Sequence, residues 1–269
     1  ILRDPEPGPA ADLVVIESTY GDRLHRDRDA TLVELGEILL HARSGGGNVL
    51  IPAFAVGRSQ DLLYEFGTHF DAWDLAAWRI FLDSPMAIDA TQLYLDYRND
   101  HRLSAMLLED VHAFKHPQLH YFQKKEESMS LNTYSGKAII ISASGMATGG
   151  RILHHLYHHL PHEKNGVVIV GYQAQETRGR RLLDGDPSIR IYGEEVPVRA
   201  KVYPIEGLSA HADQEELMDW AEGFIEKPKF TFVVHGEPKS AEALAYKLKE
   251  ELGWHTILPN YLESFVLFE

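Results

Sequence analysis

Three residues of this sequence have the types and positions that chemistry on a phosphate or carbonyl group requires. Glu17, His211 and His235 each follow closely on a short apolar, β-branched segment that predicts a strand. Strand ends and helix amino termini meet at one edge of a parallel sheet, where active sites gather. A carboxylate near an imidazole suits general acid catalysis, because it holds a proton on the ring. A neutral imidazole such as His235 suits zinc.

Each of these residues also has a structural interpretation. A carboxylate at the position of Glu17 could simply anchor a loop, and His235 could bond to a neighbouring carbonyl group. Asp213 and Glu216 form a capping-box pattern, which predicts a helix directly after them. His211 could then be a structural histidine at the start of that helix. One histidine makes no metal site, so both interpretations stay open at this point.

Two glycine-containing turns could bind an anion. The segment 145–150 reads Gly-Met-Ala-Thr-Gly-Gly and precedes Arg151, and Arg58 follows Gly57 in the same setting. Backbone N–H groups at such helix starts can approach a phosphate. Neither segment matches the dinucleotide fingerprint or the Walker loop, and ordinary turns explain both equally well. The histidine run 154–162 lacks a third ligand from elsewhere and does not favour a native metal.

The elements that must position these residues follow an alternating pattern. Short β-branched runs alternate with amphipathic stretches, which predicts an α/β fold with a mostly parallel sheet. We expect strands at residues 12–17, 48–52, 138–142, 166–171, 201–205 and 230–234, and a hairpin over residues 189–198.

Composition narrows the class of protein. The 269 residues include 40 acidic and 26 basic side chains, for a net charge of −14, and no cysteine. A disulfide scaffold and thiolate chemistry are therefore excluded, and we expect a cytoplasmic protein. No apolar run approaches the ~18 residues that span a membrane, so no membrane partner is expected. The acidic balance argues mildly against nucleic acid, but residues 137–201 hold nine basic and six acidic side chains.

Six segments in this order resemble the β-CASP branch of the metallo-β-lactamase fold. In chain order, Ala11–His25 is similar to motif A. Three segments are then similar to parts of the inserted domain, namely Ile51–Gln60, Leu82–Ala87 and Ser142–Arg151. Leu208–Asp213 is similar to motif B, and Val233–Glu237 is similar to motif C. The nearest likeness is to bacterial RNA-processing exonucleases and to the endonuclease of mRNA 3′-end cleavage.

The resemblance implies a Rossmann-like β-CASP domain with a mostly parallel sheet, inserted into part of an αββα metallo-β-lactamase sandwich. The implied boundaries are residues 1–21 for the first sandwich segment, 22–206 for the β-CASP domain and 207–269 for the second sandwich segment.

The resemblance also implies a zinc-dependent ribonuclease that hydrolyses RNA phosphodiester bonds with two zinc ions. His211 would protonate the leaving oxygen, Glu17 would orient His211, and His235 would be a ligand of one zinc ion. The inserted domain would grip single-stranded RNA, and a homodimer is possible. The residues expected to bind substrate are Arg58, Ser144, Gly145, Arg151 and Tyr172.

The sequence departs from the family's pattern in one respect. The family builds its metal site mainly from a His-x-His-x-Asp-His segment, a later histidine and a bridging aspartate, all before motif A, and this chain contains none of them. We therefore expect a fragment of a longer protein, inactive by itself and without retained zinc. Two alternatives are a non-catalytic RNA-binding partner subunit and a DNA-directed metallonuclease of the same fold. The resemblance implies that the motif C histidine, His235, favours an RNA substrate over a DNA substrate.

Overall fold

The chain divides into two compact units. The computed structural model describes residues 5–6, 8–97 and 114–267. Within the described residues, the inserted unit comprises residues 26–97 and 114–210, and the split unit comprises residues 5–6, 8–25 and 211–267. The boundaries implied by the sequence, at 21/22 and 206/207, differ from these by four residues.

A few hydrogen bonds account for that difference. The His25 backbone N–H donates to Asp213 Oδ2 at 2.8 Å, and His25 Nε2 donates to the His211 carbonyl oxygen at 2.7 Å. Residues 22–25 therefore stay with the split unit. Leu208 packs in the core of the inserted unit, which keeps residues 207–210 there.

Strands and helices alternate along the chain. The strands are β1 Leu13–Glu17, β2 Val49–Pro52, β3 Arg79–Leu82, β4 Leu119–Tyr121, β5 Ala138–Ser142, β6 Gly166–Ile169, β7 Ser188–Ile191, β8 Glu194–Pro197, β9 Lys201–Pro204, β10 Phe230–Val234 and β11 Thr256–Ile257. The helices are α1 Arg28–Gly45, α2 Arg58–Thr68, α3 Pro85–Asp96, α4 Lys125–Ser130, α5 Ile152–His159, α6 Arg178–Leu183, α7 Gln214–Glu222 and α8 Pro238–Leu252, with short 3₁₀ helices at Leu75–Ala77 and Leu131–Thr133. None of these helices has the length and apolar composition needed to cross a membrane.

The inserted unit is built on one six-stranded sheet. Its strand order is β4-β3-β5-β2-β6-β9, and all the pairings are parallel. Both faces are buried: Ile51 and Ile141 pack in one core, and Leu50 and Ile140 pack in the other. Burial on both faces explains why these strands are continuous aliphatic runs, as is usual for parallel sheets. The predicted α/β class with a mostly parallel sheet is confirmed.

A separate antiparallel hairpin, β7–β8, pairs Ser188 with Pro197 and Ile191 with Glu194. It occupies the segment for which the sequence predicts a hairpin. The turn passes through Tyr192 and Gly193, both with positive φ, as a tight two-residue hairpin connection requires.

The split unit has a parallel sheet in the order β1-β10-β11. Its register pairs Leu13 with Phe230 and Glu17 with Val234, although more than 200 residues separate the strands in sequence. Helices α7 and α8 supply the apolar residues that cover this sheet, among them Leu217 and Leu244. The register places Glu17 beside the residue that precedes His235.

Candidate active site of the split unit

The end of β1 is fixed to the end of β10 by side-chain contacts as well as by the sheet. Ser18, which is fully buried, donates from Oγ to the Val234 carbonyl oxygen at 2.8 Å. A Cβ on Gly236 would lie 2.3 Å from Ser18 Oγ, so the turn after His235 approaches β1 too closely for a side chain. Glu17 and His235 are therefore held at one edge of the sheet.

Glu17 and His211 form a hydrogen-bonded ion pair. His211 Nδ1 donates to Glu17 Oε1 at 3.0 Å, and the Thr19 backbone N–H donates to Glu17 Oε2 at 2.9 Å. Burial opposes ionisation of Glu17, but the hydrogen bonds from His211 and Thr19 prevail and lower its pKa from 4.5 to about 2. The hydrogen bond to Glu17 in turn raises the pKa of His211 above 6.5, against a smaller effect of burial.

Thr19 connects the three residues, and the sequence analysis missed it. Its side chain is only 3% exposed, and Oγ1 lies 3.1 Å from the His235 carbonyl oxygen, to which it donates. Thr19 Oγ1 also lies 3.3 Å from His235 Nδ1 and 3.4 Å from His211 Nδ1. Its position two residues after Glu17 was the available signal, but a threonine in a turn has too many structural uses to single it out.

His235 is the exposed member of the cluster. Its ring centroid lies 5.4 Å from that of His211, and its backbone has φ +57°, in the left-handed region. Only a few per cent of residues other than glycine adopt such a φ, and residues held there cluster at functional sites. The strained turn directs the imidazole beside the Glu17–His211 pair.

Helix α7 begins just after His211 and is capped as the sequence predicts. Asp213 Oδ1 accepts from the Glu216 backbone N–H at 3.0 Å, and Glu216 Oε2 accepts from the Asp213 backbone N–H at 2.9 Å. The other oxygen of Asp213 accepts from the His25 N–H, as described above. The cap therefore fixes His211 from its C-terminal side, and His25 fixes it by donating to the His211 carbonyl oxygen.

In the described part of the chain, the only three possible metal ligands that lie close together are Glu17, His211 and His235. Their ligand atoms are within 4.8 Å of one another. However, Glu17 and His211 bond to each other, and Thr19 occupies the second oxygen of Glu17. His235 is the remaining donor, whereas a zinc ion takes about three or four protein ligands. The described residues do not fit a pair of zinc ions.

Two residues of the inserted unit that are expected to bind substrate also make internal contacts. Arg151 donates to Asp83 Oδ1 at 2.8 Å and to the carbonyl oxygens of Phe122 and Gln123. Arg58 is 5% exposed and pairs with Asp61 at 3.1 Å. These contacts use some of the donors of each guanidinium, and substrate binding by Arg58 and Arg151 stays a prediction.

Asp83 explains why Arg151 is held. Its carboxylate is fully buried and also accepts from Ser128 Oγ and His155 Nε2, both at 2.6 Å. These donors lower the pKa of Asp83 despite its burial. A buried carboxylate needs such partners, and Arg151 supplies one of them.

The other predicted contacts lie in the turn after β5 and in the loop after β6. Ser144 Oγ accepts from the backbone N–H groups of Thr148 and Gly149, which closes the turn. A Cβ on Gly145 would lie 2.8 Å from the Phe54 ring. Tyr172 is half-buried in the loop that follows β6. Substrate binding by Ser144, Gly145 and Tyr172 stays a prediction.

The class of protein follows from these features and from two family models. Residues 59–182 match the Beta-Casp domain, and residues 195–259 match the Zn-dependent metallo-hydrolase RNA specificity domain. The two matches, together with a parallel α/β domain inserted into the sequence of a second α/β unit, define a metallo-β-lactamase-like fold.

Relatives narrow that class. The chain is 43% identical over 247 residues to ribonuclease TTHA0252 of Thermus thermophilus, covering 91% of this chain and 56% of that protein. It is 32% identical to an RNase J-like protein of Methanocaldococcus jannaschii, covering 92% and 57%, and 31% identical to the transcription termination factor FttA of Pyrococcus abyssi, covering 96% and 41%. The chain belongs to the β-CASP family of the metallo-β-lactamase fold. It spans about half the length of the curated relatives it matches.

Proposed function

We propose that this chain is the β-CASP and motif A-to-C part of a zinc-dependent ribonuclease that hydrolyses RNA phosphodiester bonds. The observation that carries the proposal is the Glu17–His211 hydrogen bond of 3.0 Å. The description of the specificity domain names zinc and RNA, and two of the relatives are named as ribonucleases or ribonuclease-like.

In this proposal His211 is the general acid. Hydrolysis of a phosphodiester expels an alkoxide, which is a poor leaving group unless it receives a proton in the transition state. Glu17 accepts from Nδ1–H and raises the pKa of His211, so more of the imidazole is protonated near neutral pH. Nε2 is then the ring nitrogen that donates to the leaving oxygen, and Thr19 keeps Glu17 oriented through its second oxygen.

His235 is proposed as one zinc ligand. The remaining ligands would come from the part of the longer relatives that this chain does not span, because the described residues do not fit a zinc pair. We therefore propose that the chain by itself is inactive and retains no zinc. A cytoplasmic location and a homodimer stay predictions.

Two alternatives remain to be distinguished. A non-catalytic RNA-binding partner subunit would not need the Glu17–His211 pair, so the intact pair argues against it. A DNA-directed metallonuclease is less favoured, because the RNA specificity domain matches over residues 195–259 and includes His235.

Cleavage of two substrates by the full-length protein tests the role of His211 as the general acid. The first is a 5′-labelled single-stranded RNA with Zn²⁺ or Mn²⁺, and the second is bis(p-nitrophenyl) phosphate, whose leaving group needs no proton. His211→Ala should lower kcat on RNA by about 10²–10⁴ and have a much smaller effect on the activated ester. His162→Ala, at an exposed histidine of the inserted unit, is the matched control and should leave both rates unchanged.

Equal loss on both substrates would contradict the acid role of His211. A full-length protein that binds RNA and zinc but cleaves neither substrate would favour the partner-subunit alternative. DNA of the same sequence, cleaved as fast as RNA, would favour the DNA-directed alternative.

A further inference from the structure

A basic cleft opens in the inserted unit, at the start of α6. Its volume is about 340 Å³, and one acidic side chain, Glu176, contributes to its lining. The rest of the lining is one glutamine, two threonines and three arginines, namely Gln175, Thr148, Thr177, Arg178, Arg181 and Arg190. The cleft lies within the 137–201 region, where basic residues outnumber acidic ones although the whole chain has a charge of −14.

Two of the arginines are positioned without being neutralised. Arg178 Nε donates to the Arg190 carbonyl oxygen at 2.7 Å, and Arg190 Nε donates to the Gly193 carbonyl oxygen at 3.3 Å. Among the described residues, neither guanidinium makes an ion pair with a carboxylate, whereas Arg181 pairs with Asp186 at 2.6 Å. Carbonyl groups fix the direction of a side chain but leave its full charge, so Arg178 and Arg190 keep the charge that an anion would meet.

The loops beside the cleft are held to each other by hydrogen bonds. The Gly179 N–H donates to the Met146 carbonyl oxygen, and Gln173 Nε2 donates to the Gly145 carbonyl oxygen, both at 3.1 Å. A Cβ on Gly179 would lie 1.6 Å from Gln173 Oε1, so a larger residue there would displace the Gln173 side chain. The loops after β5 and β6 therefore form one preorganised surface, which reduces the entropic cost of binding.

An exposed aromatic ring lies beside the arginines. Tyr192 is 55% exposed at the tip of the β7–β8 hairpin, and its ring centroid lies 4.9 Å from that of His154. Partial burial raises the pKa of the Tyr192 hydroxyl, and the nearby positive charge of Arg178 opposes this. Guanidinium groups next to an exposed aromatic ring are the combination that binds single-stranded nucleic acids, through phosphates and stacked bases.

We propose that this cleft binds a segment of single-stranded RNA, with Arg178 and Arg190 on backbone phosphates and Tyr192 stacked on a base. Guanidinium groups donate two parallel hydrogen bonds to phosphate oxygens. The assignment to RNA rests on the proposed function. The site was missed from the sequence, because its arginines come from a helix and a hairpin that only the fold brings together.

Binding of a 5′-fluorescein-labelled 12-residue oligouridylate to the 269-residue chain, measured by anisotropy over a series of salt concentrations, tests the site. The double variant Arg178→Gln, Arg190→Gln should bind more weakly and lower the slope of log K against log [salt] by about 1.4, since each phosphate contact contributes about 0.7 for a single strand. Tyr192→Ala should weaken binding about tenfold with little change in slope. Arg199→Gln, an exposed arginine of the same unit outside the cleft lining, is the matched control and should change neither.

The conservative double variant Arg178→Lys, Arg190→Lys should keep most of the slope, since it keeps both charges. An unchanged slope in the glutamine variant, with normal RNA binding, would overturn the cleft and leave the proposed ribonuclease function standing. Equal competition by polyglutamate would overturn the assignment to RNA in favour of a general polyanion surface. Absence of RNA binding by the unmodified chain would overturn the cleft, and cleavage by the full-length protein would then decide the proposed function separately.

Discussion

The Glu17–His211 pair links protonation to folding at the scale of single residues. The pKa of Glu17 falls from 4.5 to about 2 in the folded chain, so its ionised form contributes stability above pH 4.5 that is lost as the pH falls towards 2. The pKa of His211 rises, so its protonated form contributes stability below pH 6.5 that is lost as the pH rises through the folded value. The two contributions coincide between about pH 4.5 and 6.5.

Glu17→Gln should lower the pKa of His211, because it removes the charge and the strong acceptor that hold the ring proton. The free energy of unfolding should fall more at pH 5.5 than at pH 9, where the pair is no longer ionised on both sides. NMR titration of the His211 ring and urea unfolding at the two pH values measure these effects. An unchanged His211 titration would contradict the ion pair.

At the scale of elements, the site depends on where α7 begins. Asp213 is 8% exposed and accepts hydrogen bonds from the backbone N–H groups of Glu216 and His25. It therefore caps the helix and fixes residues 22–25 at the same time. Because His211 is only two residues away, the cap also determines where the imidazole lies relative to Glu17.

Asp213→Ala should destabilise the chain by about 2 kcal/mol, since it removes the cap and leaves the part-buried N–H of His25 without its acceptor. Asp213→Asn, which keeps an oxygen at the cap, should cost less than about 1 kcal/mol. Urea unfolding of both variants at pH 7 measures the difference. Equal destabilisation by alanine and asparagine would show that the charge of Asp213, rather than its cap, is what stabilises the helix.

At the scale of the whole molecule, the donor set limits what the chain can bind. His235 is the one member of the Glu17–His211–His235 cluster whose side chain is not committed to another member by an ion pair. A single imidazole binds zinc weakly, because structural and catalytic sites need about three or four protein ligands.

The purified chain should therefore contain well under one zinc ion per molecule after dialysis, and His235→Ala should not change that content. Atomic emission spectroscopy of the unmodified and variant chains measures it. Stoichiometric zinc that is lost in His235→Ala would show that the described residues assemble a metal site, contrary to this reading of the geometry.

The sequence by itself determined the fold class, eight of the eleven described strands and the cap of α7, because these depend on local patterns, whereas β3, β4 and β11 were not predicted. Continuous aliphatic runs such as Val49–Pro52 predict strands buried on both faces, and the Asp213–Glu216 spacing predicts a helix start. The order and spacing of the motifs also indicate the family, and the strand ends predict that Glu17 and His211 lie at one edge of the sheet.

Tertiary structure alone decided which polar groups meet. The parallel register of β1 with β10 joins residues more than 200 positions apart, and it brings Thr19 within hydrogen-bonding distance of His235. The same holds for Arg151, which donates to the buried carboxylate of Asp83, a residue 68 positions away in the sequence. Local pattern fixes which faces are buried, but hydrogen bonds between distant segments depend on strand order and register, which no short stretch of sequence encodes.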